Sequence, residues 1–335
     1  MSIFTSKIIY LSDAALRDFM RCDESKYCGD IMRIAVIGAG AMGGLFGARL
    51  ALGGQEVSLI DASEPTIQAI KRQGLILKSH GGSNTVMLPV GRADDFQNPF
   101  DLLIIFTKGF HTSAAIESVK HLVGPNTWAM SVQNGLGNAE RIAAVVPNER
   151  IIVGMTNFPA DLIEPGVVSS HGEGHINIWT ASGEDDANVH HIAEAFTAAG
   201  LECIANPDVQ VAIWEKVAFN AALNSLCAVS GLTVGGVGKS EQGRSLASQI
   251  IKETVAVANA SGIAAQQSNV ATAIQHAFDN HVSHKPSMLQ DVEARRRTEI
   301  DFINGAVADR GRNAGVDTPV LRTLGDLVKL IESGY

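Results

Sequence analysis

At 335 residues the chain exceeds the length over which one hydrophobic core keeps growing, so two domains are expected. With 46% hydrophobic and 18% charged residues it is globular rather than disordered, and a net charge of -9 with a sequence pI near 5.6 excludes the basic surface that draws proteins to nucleic acid or acidic membranes. The four cysteines, Cys22, Cys28, Cys203 and Cys227, form no C-x-x-C pair for zinc or redox chemistry, so no metal is expected and they read as free thiols of a reducing compartment.

Residues 1–31 match neither a strand nor a long helix, although Ser12 to Met20 could form a short one. They read as an N-terminal extension, or as the product of an upstream start codon, whose deletion leaves a folded, active protein. Charged residues stand there where a signal peptide needs an apolar core. No later run reaches the roughly 18 apolar residues of a membrane span, so a cytoplasmic location is expected.

Regular structure begins at Met32. Arg33 to Ile37 is a β-branched run leading into Gly38-Ala-Gly-Ala-Met-Gly43, followed by a small-residue helix over 44–53 and a second strand, Glu56 to Asp61. This is a βαβ unit containing G-x-G-x-x-G, with an acidic residue, Asp61, about 20 residues on. Gly38 permits the tight turn, Gly40 admits a pyrophosphate to the backbone, Gly43 lets helix and strand approach, and the helix start, including Ala39, Ala41 and Met42, offers free N–H groups to the phosphates. Asp61 either receives the adenine ribose hydroxyls or merely caps the next turn.

Further apolar runs at 101–106, 127–133 and 151–156, with helical patterns between them, predict an α/β domain with a mostly parallel, Rossmann-type sheet. Thr107-Lys108 and Gln133-Asn134-Gly135 end two of these runs, and in such sheets ligands gather beyond the carboxyl ends of the strands. Gly74 to Val90 and Gly166 to Thr180 each read as two short strands around a glycine turn, antiparallel additions at or beside the sheet edge. After a last strand at Leu201 to Ile204 the chain reads as helix throughout. The expected division is therefore a dinucleotide-binding domain over 32–206 and an all-helical domain over 207–335.

In the helical part, Lys216, Asn220 and Asn224 fall at i, i+4 and i+8 of an otherwise apolar helix, one polar line that faces either a cleft or water. A second helix is expected from Pro286 to about Gly311, carrying Ser287, Asp291, Arg295 and Glu299 at four-residue intervals. Ser287 with Gln290 also fits a capping box, and Glu299 also fits a solvated partner of Arg295.

Taken together, GAGAMG at 38–43, TK at 107–108, QNG at 133–135, WEKVAFNAALN at 214–224, SMLQD at 287–291 and TEIDFING at 298–305 resemble the ketopantoate reductases, of the phosphogluconate-dehydrogenase-like superfamily. The resemblance implies that Lys216 is the general acid, that Asn220, Asn224 and Ser287 hold the substrate, and that Glu299 positions the reacting groups. It also implies that Lys108 and Asn134 border the nicotinamide and its ribose, with Asn134 reaching the substrate too. The implied reaction is reduction of 2-dehydropantoate to pantoate in pantothenate biosynthesis. Asn224 is followed by Ser-Leu-Cys where the family commonly has proline, and a further asparagine seen in some members is missing after Gly231, so another small 2-oxo acid stays open as substrate. Because relatives generally use NADPH while Asp61 argues for NADH, either cofactor is expected. A dinucleotide sensor without turnover would need neither Lys216 nor Glu299. No nucleic acid or membrane partner is expected, and a homodimer is left open.

Overall fold

The computed structural model describes residues 31–335. All but the last residue of the expected N-terminal extension lies outside them. Two hydrophobic clusters organise the chain: one gathers buried residues from Met32 to Val209, the other Leu136 with residues from Trp214 to Val328.

The first cluster surrounds an eight-stranded sheet. Its strands are β1 (Arg33–Ile37), β2 (Glu56–Ile60), β5 (Val90–Gly91), β6 (Phe100–Ile105), β7 (Val123–Ser131), β8 (Ile151–Thr156), β11 (Ile176–Thr180) and β12 (Cys203–Ala205), in the order β12-β11-β8-β7-β6-β1-β2-β5. Pairing is parallel from β5 across to β8. Only the β8–β11 pair is antiparallel, so the sheet is mostly parallel, as the alternation of apolar runs predicts. The chain leaves β1 for β2 on one side and returns to β6 on the other, which places a crevice beyond the carboxyl ends of β1 and β6. Helices α1 (Ala41–Leu52), α2 (Glu64–Gln73), α3 (Thr112–Ser118), α4 (Asn138–Ile142) and α5 (Ala187–Ala198) accompany it.

The expectation of two edge hairpins is half corrected. Leu75 to Val86 does form a hairpin, β3 (Leu75–Ser79) with β4 (Gly82–Val86), but Gly166 to Thr180 does not. Its first part, β10 (Val167–Ser169), lies parallel to β3 and antiparallel to β9 (Asp161–Glu164) in a separate four-stranded sheet, while β11 joins the main sheet. The reason lies in α1. A Cβ on Gly44 would overlap Val168 Cγ2, and one on Gly47 would come within 2.9 Å of Leu59 Cδ2, so this small-residue helix is wedged between the two sheets. Val167 and Val168 bury themselves against it, at 2% and 0% exposure.

The second cluster is helical: α6 (Val209–Ser230), α7 (Val234–Lys239), α8 (Glu241–Ala260), α9 (Gln267–Asn280), α10 (Ser287–Glu293), α11 (Ala306–Ala314) and α12 (Pro319–Glu332). The central helix, α6, is apolar nearly all round and packs against α7, α8, α9, α10 and α12, ending at Gly231 with φ 69°. The single helix expected from Pro286 to Gly311 does not form. α10 stops at Glu293, Arg295 adopts a left-handed φ of 50°, and a π-helical turn over Asp301–Gly305 leads into α11. The capping box is absent as well: Pro286 takes the cap position, Ser287 is the first helical residue, and Gln290 donates its side-chain N–H to the Lys285 carbonyl at 2.9 Å.

Candidate active site

The glycine loop is built by contacts that only glycine can make. Gly38 has φ 96° and donates its N–H to Ile60 O at 2.8 Å, and a Cβ on it would lie 3.0 Å from the Thr107 backbone nitrogen. A Cβ on Gly43 would overlap the Gly38 carbonyl oxygen. Gly40, by contrast, has nothing within 4 Å of its Cβ position. The loop thus packs tightly on the sheet at two glycines and leaves room at the third, at the start of α1, where unpaired N–H groups favour an anion. Beside it, the Thr107 hydroxyl is buried without a hydrogen-bond partner among the described residues. These features fit a dinucleotide pyrophosphate.

Asp61 does more than the sequence suggests. Its Oδ2 accepts the Ala39 N–H at 2.6 Å and its Oδ1 the Ser63 N–H at 2.7 Å, so one carboxylate braces the glycine loop and also closes the turn before α2. Pro65 sits in the first turn of α2, which Ser63 caps. Chain spacing also conceals Arg92. Gly91, at the end of β5, accepts the Asp61 N–H at 3.0 Å, which brings Arg92 to the same end of the sheet, where it pairs with Glu64 at 3.3 Å.

Lys216 crosses from the helical part to the sheet. Its ammonium donates to the Thr156 carbonyl, at the carboxyl end of β8, at 2.6 Å. Burial lowers its pKa to about 8, an effect opposed by the nearby Glu299 carboxylate. One turn on, Asn220 Nδ2 lies 3.5 Å from Asn134 Oδ1, in the loop after β7. Asn224 follows, buried at 5% exposure. The polar line therefore meets the carboxyl ends of β8 and β7 through Lys216 and Asn220, while Ser287 lies exposed on α10 and joins no side-chain hydrogen bond among the described residues. Gln133, next to Asn134, ties the β7 and β6 ends together by donating to the Thr107 carbonyl at 2.5 Å and the Thr112 hydroxyl at 3.0 Å.

Glu299 is not paired with Arg295. Its Oε1 accepts the Gly109 N–H at 3.0 Å and its Oε2 lies 3.7 Å from the Lys108 ammonium. Lys108 in turn donates to Asp291 Oδ2 at 2.7 Å. Asp291 belongs to the four-residue pattern but not to the expected site residues, and its 4% exposure is what marks it, a property no pattern of spacing discloses. Nearby, the Phe302 carbonyl accepts the Leu136 N–H at 2.8 Å, and a Cβ on Gly135 would overlap that carbonyl, which explains the glycine of QNG.

A family model described as ketopantoate reductase PanE/ApbA matches residues 34–183, and its C-terminal counterpart matches residues 208–332. The chain belongs to the ketopantoate reductase family. It is 32% identical over 303 residues to the 2-dehydropantoate 2-reductase of Streptococcus pyogenes, covering 90% of this chain and 98% of that one. To the 2-dehydropantoate 2-reductase of Halobacterium salinarum it is 33% identical over 302 residues, covering 90% and 99%. Among solved structures, a D-mandelate dehydrogenase with NADH and anilino(oxo)acetate superimposes with a TM-score of 0.87 at 31% identity, covering 90% of this chain and 99% of that one. The 2-dehydropantoate 2-reductase of Geobacter metallireducens does so with 0.84 at 31% identity, covering 89% and 99%. As a ketopantoate reductase family member with a Rossmann fold, the chain is an NAD(P)H-dependent oxidoreductase acting on a small molecule. No described helix is long and apolar enough to cross a membrane.

Proposed function

We propose that this protein reduces 2-dehydropantoate to pantoate, a step of pantothenate biosynthesis, with Lys216 as general acid. The observation that carries the reading is the desolvated Lys216 ammonium, with a pKa of about 8, set between the sheet end at Thr156 and the Asn220–Asn134 pair. The residues that would hold the dinucleotide are Gly38 to Gly43, Asp61 and Lys108. When bound and reduced, it supplies the hydride for the oxo carbon. Negative charge then develops on the carbonyl oxygen of the substrate, and Lys216 stabilises that charge and delivers the proton. Asn220, Asn224 and Asn134 donate amide N–H groups to the carboxylate or hydroxyl without adding charge, and Ser287 offers a hydroxyl from α10.

A second reading, reduction of an aryl 2-oxo acid, is favoured by the likeness to D-mandelate dehydrogenase. A panel of 2-dehydropantoate, 2-oxoisovalerate and benzoylformate, followed by nicotinamide absorbance, separates the two. The first reading expects the highest kcat/KM for 2-dehydropantoate. Tight dinucleotide binding with no turnover of any of them would instead favour a sensor.

The pH dependence has a definite sign. Reduction needs the protonated lysine, so kcat/KM for the oxo acid is level below pH about 8 and falls by about tenfold per unit above it. Oxidation of the hydroxy acid needs the neutral amine and shows the opposite limb. A profile flat from pH 6 to 10 removes Lys216 from the role.

The cofactor reading is that NADH serves at least as well as NADPH. Supporting it, Asp61 follows β2, at the strand end where the adenine ribose is expected, and Arg92, which the fold brings to the same end, is paired with Glu64. A preference for NADPH above about tenfold in kcat/KM overturns this. In Asp61→Asn the ratio moves toward NADPH, while both cofactors weaken because the Ala39 N–H loses part of its brace.

A further inference from the structure

Lys108 lies after β6, on the sheet side of the cleft, yet its ammonium sits between two carboxylates of the helical part, 2.7 Å from Asp291 and 3.7 Å from Glu299. Both are buried, at 4% and 7% exposure. Each also has its other oxygen engaged: Asp291 Oδ1 accepts from Arg296 at 3.0 Å, and Glu299 Oε1 accepts the Gly109 N–H at 3.0 Å. Two residues eight positions apart on a continuous helix would stand about 12 Å apart along its axis. The break after Glu293, with Arg295 at φ 50°, is what lets both carboxylates reach one ammonium.

The charges around the reacting end form a chain. Among the described residues, the charge acting on Lys216 is that of Glu299. Facing Glu299 from the β6 side is Lys108, and facing Lys108 are Glu299 and Asp291, the latter also held by Arg296. Glu215, adjacent to Lys216 on α6, is turned away to the Gln266 N–H and Asn269.

We propose that Asp291 is a positioning residue for the reduction: by holding the Lys108 ammonium it keeps that cation from closing on Glu299, and so preserves the Glu299 charge that Lys216 faces. Asp291 acts through Lys108 and Glu299 and touches no reacting atom. Removing its charge lets Lys108 move onto Glu299, which weakens the field that keeps Lys216 protonated. Removing Lys108 does the opposite. This inference rests on Lys216 as proton donor, and its test keeps the two apart.

The measurement is the midpoint of the basic limb of kcat/KM for oxo acid reduction. In Asp291→Asn, which keeps size and shape, the midpoint falls by about half a unit or more, and in Lys108→Met it rises by a similar amount. Asp291→Glu, which restores the carboxylate, returns it toward the wild-type value. In the double variant Asp291→Asn with Lys108→Met, the downward shift disappears, because the cation through which Asp291 acts is gone. A structural role alone would lower activity or melting temperature and leave the midpoint in place. The proposal is overturned by an unmoved midpoint in either single variant, or by a downward shift that persists without Lys108. Loss of the limb in Lys216→Ala upholds the underlying assignment, whereas a limb that survives there removes that assignment and not the Asp291 geometry.

Discussion

Lys216→Ala lowers turnover of the oxo acid by about 10²- to 10⁴-fold, the usual worth of a positioned general acid. Dinucleotide affinity stays within a few-fold of wild type, because the glycine loop lies beyond β1 and is held by Ile60 and Asp61 rather than by α6. The variant also folds. Its lost hydrogen bond is to the Thr156 carbonyl, and removing a buried ammonium relieves a desolvation cost that partly offsets the loss. Stopped-flow reduction and a fluorescence titration with NADH read the two quantities separately. Near-normal turnover would show that the proton reaches the substrate by another route, and a parallel loss of NADH binding would show that the helical part shapes the dinucleotide site.

Gly43→Ala is the second large effect, and it contrasts with Gly40→Ala one turn earlier. At Gly43 the added methyl overlaps the Gly38 carbonyl oxygen, a backbone atom that cannot rotate away. Either α1 or the loop must shift, at a cost of about 1–3 kcal/mol in stability, together with loss of dinucleotide binding. At Gly40 the methyl meets no protein atom within 4 Å, so folding is unaffected and the penalty falls on the ligand whose space it takes. Thermal unfolding with and without NADH distinguishes them. Gly43→Ala melts lower in both conditions, while Gly40→Ala melts as wild type alone and loses the upward shift on adding NADH. Equal unfolding temperatures for Gly43→Ala and wild type would contradict the packing described here.

The glycine loop was legible because each of its residues answers a local demand. Gly38 needs a positive φ, Gly43 needs contact with an atom five residues away, and the strand and helix around them are encoded within a short stretch. The strand-end residues Lys108 and Asn134 were legible for a related reason, since a parallel sheet sends the carboxyl ends of its strands to one edge. The pairing of Gly166 to Thr180 was not. Val168 leaves the apparent hairpin because Gly44 and Gly47 open a slot for a second sheet, and that slot exists only once α1 has packed.

From its sequence alone, then, this protein determined a parallel-sheet domain with a dinucleotide loop, and a helical part whose central helix lines up Lys216, Asn220 and Asn224. Both follow from periodicities of one chain segment, 2.0 or 3.6 residues, which local side-chain chemistry sets. Tertiary structure decided which charges meet. Asp61 braces Ala39, Arg92 answers Glu64, and Lys108 lies between Asp291 and Glu299 because the helix expected to hold those carboxylates breaks at Arg295. A buried carboxylate must find its cation wherever the fold supplies one, and here the partners are separated by 183 residues of chain.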